Sequence, residues 1–224
     1  MEPLNNSVER TKLFSIYSEL DEEVVEKASY YDLYLIGGTA IEIWLSHLGL
    51  KGWRQRSNND FDFLINAATN NQLNNFKKFL KHKGFNSLGS LRFRFNKIII
   101  DFFDYEDPRF EFDENLLEPD LFKIIDSLKF VSPVKLMSPV FLFSSKFLRV
   151  GFINSVKVKD RTQYNRYIKD LKDLKDLLKI IKKLKLTIRF NKSLGFFYKT
   201  YKESDRINLA ETFINEELNK LQIN

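Results

Sequence analysis

Asp60-Phe61-Asp62-Phe63-Leu64-Ile65 alternates acid with aromatic and then turns apolar, the period-2 signature of a β-strand. Asp60 and Asp62 therefore share one face, and Phe61 and Phe63 share the other. Two carboxylates side by side on a sheet repel each other and add nothing to its packing. A hard divalent cation removes that penalty, because Mg²⁺ prefers carboxylate oxygen together with phosphate oxygen. A third acid, Asp101, ends the apolar run Ile98-Ile99-Ile100 ahead of Phe102-Phe103. Asp104 is a one-register rival for its place.

Upstream, Leu33-Tyr34-Leu35-Ile36 reads as a short strand stopped by Gly37-Gly38. A helix follows from Thr39 to about Leu48, with Gly49 as its terminator. Strand, paired glycines and helix form a phosphate-binding arrangement: bare backbone N–H groups can approach an anion, and the helix start adds partial positive charge. The same pair also suits an ordinary tight turn. Between the helix and Asp60 lies Lys51-Gly52-Trp53-Arg54-Gln55-Arg56-Ser57-Asn58-Asn59. Arg54 and Arg56 suit phosphate oxygens, or else neutralise the acids they precede. Arg56 and Ser57 join Gly37, Gly38 and Thr39 as candidate nucleotide contacts.

Downstream, Asn70 to Lys83 reads as a helix carrying Leu73, Phe76, Phe79 and Leu80 on one side, ended by Gly84. Leu91-Arg92-Phe93-Arg94-Phe95 alternates, turns at Asn96-Lys97 and returns as Ile98–Phe103, a β-hairpin that brings Asp101 into the sheet. Residues from about Val8 to Ala28 form an amphipathic helix before the first strand. Tyr105 to Pro119 is acidic and irregular, and Leu121–Val131 holds one or two short strands. Ser138-Pro139 is an N-cap with Pro at the first helical position, opening a helix through Lys146 to Arg149. After Gly151 the chain turns helical again, with Tyr164, Ile168, Leu171, Leu174, Leu178 and Ile181 as its apolar stripe. Asn191–Tyr201 and Asp205–Leu221 are two more helices.

The fold class expected is α+β: a small mixed sheet with flanking helices over residues 1–135, and a helical half over 136–224 that closes the cleft. The chain of 224 residues, 43% hydrophobic, has ample material for a core. Without a signal peptide or an apolar run near the ~20 residues of a membrane span, it is expected in the cytoplasm and off the membrane. With no cysteine, disulfides and zinc–thiolate sites are excluded. His47 and His82 lack metal-ligand spacing, and Trp44 and Trp53 read as packing residues. Charge is uneven: Lys157–Lys202 carries 15 Lys/Arg against four Asp, in a chain whose net charge is +6. Such a segment suits a polyanionic partner, or is a solvated helix face.

Gly37-Gly38-Thr39, Asp60-Phe61-Asp62 and Asp101 together resemble the signature of the polymerase-β-like nucleotidyltransferase superfamily. Gly37-Gly38-Thr39-Ala40 is similar to the first motif of the AbiEii/AbiGii toxin family within it. That family also carries a lysine on a helix beyond the third acid, matched by Lys146, then a basic-Asp-x-x-Asp-Leu stretch. Lys169, Asp170 and Asp173 fit that stretch, and Lys172, Asp173 and Asp176 fit almost as well. The resemblance spans roughly Leu33 to Leu178. It departs in the long interval between Gly38 and Asp60, and in Phe61 and Phe63 where aliphatics are usual.

The resemblance implies catalytic, metal-holding Asp60, Asp62 and Asp101 with two Mg²⁺ ions, and transfer of NMP from an NTP to an acceptor hydroxyl. It further implies that Lys146 contacts nucleotide phosphate with Lys169 and Asp170 near the same cleft. For toxin members the acceptor is expected to be tRNA or another macromolecule, and an antitoxin protein is a possible partner. Aromatics in the basic segment, such as Tyr164 and Tyr167, suit base stacking or core. Two alternatives stand beside this reading: the same chemistry on a small antibiotic, and a non-catalytic nucleic-acid-binding module.

Overall fold

A computed structural model of the chain describes residues 27, 33–53, 60–65, 70–104, 135–155, 160–188 and 206–222. Strands β1 (Leu33–Ile36), β2 (Asp60–Ile65), β3 (Asn86–Ser87), β4 (Arg92–Phe95), β5 (Ile98–Asp104) and β6 (Lys135–Leu136) form one sheet in the order β3-β4-β5-β2-β1-β6. The pairs β2–β5 and β1–β6 are parallel and the others antiparallel, so the sheet is mixed and the fold α+β. Helices α1 (Gly37–His47) and α2 (Asn70–His82) intervene among the first strands. Helices α3 (Pro139–Ser155), α4 (Arg161–Leu184) and α5 (Arg206–Gln222) follow β6.

The alternation in β2 does what its period requires. Phe61 and Phe63 are buried, and Phe63 joins a cluster centred on Phe102. Ring centroids of Phe63, Phe76 and Phe93 lie 6.2, 5.6 and 5.9 Å from that of Phe102. Offset and edge-on contacts between these rings add to what their burial contributes. Phe76 and Leu80 carry the buried side of α2 into this layer.

Two differences from the expected elements have local causes. Helix α3 runs through Gly151 to Ser155 instead of ending at Arg149. An interior glycine costs a helix about 1 kcal/mol, and the burial of Phe147 and Val150 in the core outweighs that. Strand β6, only two residues long, has no pattern of its own. Its place is set by parallel pairing with β1 and by the Met137 N–H, which donates to the Leu35 carbonyl at 3.0 Å. The boundary expected at residue 135 thus runs through a strand, and one hydrophobic core continues from Leu35 and Trp44 to Leu177 and Ile214. The indole N–H of Trp44 also donates across it, to the Met137 carbonyl at 2.9 Å.

The expected N-cap Ser138 accepts from the Phe141 N–H at 3.1 Å, and Asp160 caps α4 by accepting from Gln163 N–H at 2.8 Å. Arg54, Arg56 and Ser57 lie outside the described residues, as do the elements expected over Leu121–Val131 and Asn191–Tyr201 and, apart from Lys27, the helix over Val8–Ala28. Among the described residues no helix is long and apolar enough to cross a membrane.

Candidate active site

Parallel pairing of β2 with β5 sets Asp62 directly opposite Asp101, with Asp60 two residues earlier opposite Ile99. Paired residues on neighbouring strands point to one side of the sheet, so Asp60, Asp62 and Asp101 share a face. The aromatic layer fills the other face. This is the convergence expected for the three acids, with Asp101 in register and Asp104 three residues further along, opposite Ile65.

The turn from β1 into α1 closes on the same spot. Gly37 has φ +72°, a left-handed conformation that side chains rarely adopt. A Cβ placed there would stand 3.1 Å from Cγ of Asp62 and overlap its Oδ2. The backbone of Gly37 thus lies against the Asp62 carboxylate, an approach open only to glycine. No side chain caps the start of α1, so its first N–H groups, those of Gly37 and Gly38 included, are free of a capping side chain. The Thr39 hydroxyl donates to the backbone carbonyl of Asp60 at 2.7 Å, which fastens α1 to β2.

Burial beside like charge marks Asp62. Desolvation, then Asp101 and Asp60, push its carboxyl up to about 6, against the opposing pull of Lys146 and Lys169. Burial also raises Asp101, with Asp60 adding to it and Arg92 opposing. Arg92 Nε is 3.1 Å from Asp101 Oδ1, its partner across the hairpin. Among the described residues no three acidic or imidazole groups are gathered tightly enough to hold a metal ion. The donor set nevertheless fits a divalent cation: hard oxygen ligands, one of them desolvated next to two further acids. Asp101 would have to leave Arg92 to complete it.

The helical half reaches this face through Lys146 and Lys169, the two cations that act on Asp62. Lys146 is almost fully buried, with its Nζ 3.1 Å from Asp170 Oδ1 and 2.7 Å from Asp173 Oδ2. Arg149 grips Asp170 from the other side, Nε at 2.5 Å and a terminal nitrogen at 2.6 Å. Both oxygens of Asp170 are thus engaged by cations within the fold. A buried charge this well surrounded is fixed in place. Lys169 acts on Asp62, whereas the Nζ of Lys172 sits 4.9 Å over the ring of Trp53.

Three participants escaped the sequence reading. Arg92 was legible: counting back from the two-residue turn at Asn96-Lys97 places it opposite Asp101. Arg149 stands three residues after Lys146 on one face of α3. Trp53, read as packing, donates its indole N–H to Asp173 at 3.1 Å and its backbone N–H to Asp176 at 3.0 Å, which no local pattern signals. No family model, curated protein or solved structure matches this chain.

Proposed function

We propose that this chain is a metal-dependent nucleotidyltransferase, similar in type to AbiEii/AbiGii toxins, that moves NMP from an NTP to an acceptor hydroxyl. The observation that carries the reading is the pairing of Asp62 with Asp101 beside the Gly37 backbone and the uncapped start of α1. Carboxylates for cations and open N–H groups for phosphate then meet at one place.

In the reaction the acceptor oxygen attacks the α-phosphorus, the bond from that phosphorus to the bridging oxygen breaks, and pyrophosphate leaves. Asp60, Asp62 and Asp101 would hold Mg²⁺, two ions on the family resemblance. Bound there, Mg²⁺ neutralises the triphosphate and lowers the pKa of the attacking hydroxyl. The N–H groups at the start of α1 receive phosphate oxygens. Lys146 and Lys169 bring positive charge to the same face, and the cage around Lys146 keeps its charge from wandering as charge develops on the leaving group.

A macromolecular acceptor, with tRNA as the first candidate, is supported by α4. Its three acids, Asp170, Asp173 and Asp176, are buried and engaged within the fold. Arg161, Arg166, Lys169, Lys175, Lys179, Lys182 and Lys183 are exposed on the same helix. The face turned to solvent is thus far more positive than the composition of the helix indicates, and phosphate neutralisation dominates non-specific nucleic-acid affinity.

The test is incubation with each labelled NTP, Mg²⁺, total tRNA and an aminoglycoside panel. Label in tRNA is the expected result. Label in an aminoglycoside alone would move the acceptor to small molecules. No label with any acceptor, including total cell protein, would leave only a nucleic-acid-binding module.

A further inference from the structure

Trp53 is joined to the helical half by two hydrogen bonds that have no packing purpose. Its backbone N–H and indole N–H reach Asp176 Oδ2 and Asp173 Oδ1, two aspartates one turn apart on α4 and both fully buried. Asp173 is shared: Trp53 holds Oδ1, and the Lys146 ammonium stands 2.7 Å from Oδ2. Lys179 completes the clasp, 2.8 Å from Asp176 Oδ1 and donating to the Lys51 carbonyl at 3.2 Å.

Resting on the nucleotidyltransferase reading, we infer that Trp53 is a positioning residue that sets where the Lys146 ammonium stands, acting through Asp173. A buried carboxylate with a hydrogen-bond donor on one oxygen and an ammonium 2.7 Å from the other has a fixed orientation. Remove the indole N–H, and Oδ1 of Asp173 is left without that donor in a dry setting. The Lys146 ammonium, 2.7 Å from Oδ2, is then drawn toward both oxygens of Asp173 and away from the face that bears Asp62. Asp170, gripped by Arg149, cannot compensate because both its oxygens are already engaged. The same residue ties the chain just beyond α1 to the helix that carries Lys169.

The test, in the full chain, is Trp53→Phe, which keeps a ring under Lys172 and removes the side-chain donor together with part of the indole. Dissociation constants are measured for mant-ATP and mant-GTP with Mg²⁺, alongside KM and kcat in the labelled-NTP assay and the thermal midpoint. The expected result is a three- to tenfold rise in both the dissociation constant and KM with kcat reduced as well, accompanied by a modest fall in the midpoint from the hydrogen bond lost at a buried carboxylate. Asp173→Asn should be non-additive with Trp53→Phe, whereas Arg149→Gln should be additive. Unaltered nucleotide affinity in Trp53→Phe, or a fallen midpoint with affinity intact, overturns the inference and makes Trp53 a structural clamp. Wild-type protein that binds neither nucleotide sinks the nucleotidyltransferase reading itself, a result distinct from either.

Discussion

Asp62 and Asp101 stand opposite each other on neighbouring parallel strands, and Asp62 is the more deeply buried of the two. Two acids so placed store unfavourable energy when ionised and without a counter-cation. Asp62 carries most of it, its carboxyl pushed by burial, Asp101 and Asp60 from the usual 3.8 to about 6. That displacement is worth about 3 kcal/mol.

The sign follows from linkage. A raised carboxyl pKa means that the folded chain holds the proton more tightly than the unfolded chain. The stability from Asp62 is complete below about pH 4 and is lost as pH rises to about 6. In EDTA, Asp62→Asn should therefore be more stable than wild type at pH 7.5 and show a shallower fall between pH 4 and 6. Urea titrations of both proteins at several pH values measure this, and the comparison cancels the titrating groups that do not interact with Asp62. Transfer activity should be lost in the same variant. A variant less stable than wild type at pH 7.5 would make Asp62 a structural residue.

Gly37 and Gly49 separate backbone strain from site chemistry. Both are left-handed, with φ +72° and +63°. A Cβ at Gly49 meets nothing within 4 Å, whereas one at Gly37 drives into Asp62. Gly49→Ala should cost about 1 to 2 kcal/mol of stability, the strain of a left-handed alanine, and leave NTP binding intact. Gly37→Ala should cost more and abolish NTP binding. Thermal melts and mant-nucleotide titrations compare the two, and equal behaviour would remove any special role for the Gly37 approach.

Lys146 is tested by breaking and then rebalancing its cage. Lys146→Met leaves Asp170 and Asp173 buried against a methyl group, and loss of one partner from a buried charge cluster costs about 3 to 5 kcal/mol. Adding Asp173→Asn removes one stranded charge and should return a substantial part of that loss. Neither change should restore transfer. Denaturant midpoints report the first effect and labelled-NTP assays the second. Recovery of activity in the double variant would show that the Lys146 charge is dispensable.

The sheet was readable because its signals are short-range. Period-2 alternation in β2, the turn at Asn96-Lys97 and the glycine stops define strands within a few residues, and together they carry Asp60, Asp62 and Asp101 to one face. The contacts of Thr39 and Asp170 were not readable for the opposite reason. Each has the chemistry of a ligand-binding group, and only the three-dimensional structure gives its neighbours, the Asp60 carbonyl and the Lys146–Arg149 pair. Strand β6 and the Trp53 contacts were invisible because their partners lie about 100 or more residues away in sequence. The Lys-Asp-Leu repeat offers two registers of equal local merit.

Lys175 and Lys183 probe the acceptor surface without touching the carboxylate face. Both are exposed on α4, two and ten residues past the buried Asp173. Lys172, Lys175, Lys179 and Lys182, three or four residues apart, follow one side of the helix with Lys183 beside them, over about 16 Å at a rise of about 1.5 Å per residue. If RNA phosphates lie along that line, Lys175→Glu with Lys183→Glu should weaken tRNA binding about tenfold or more at moderate salt. It should also flatten the salt dependence by about 0.7 to 0.9 in log–log slope for each phosphate that is no longer neutralised. Stability should change by less than about 0.5 kcal/mol, since neither residue is buried. NTP affinity should hold, because the reversed charges lie beyond Lys169 and away from Asp62. Filter binding across a salt series, paired with mant-nucleotide titration, separates the two sites. Undiminished tRNA affinity in the double variant would move the acceptor off α4.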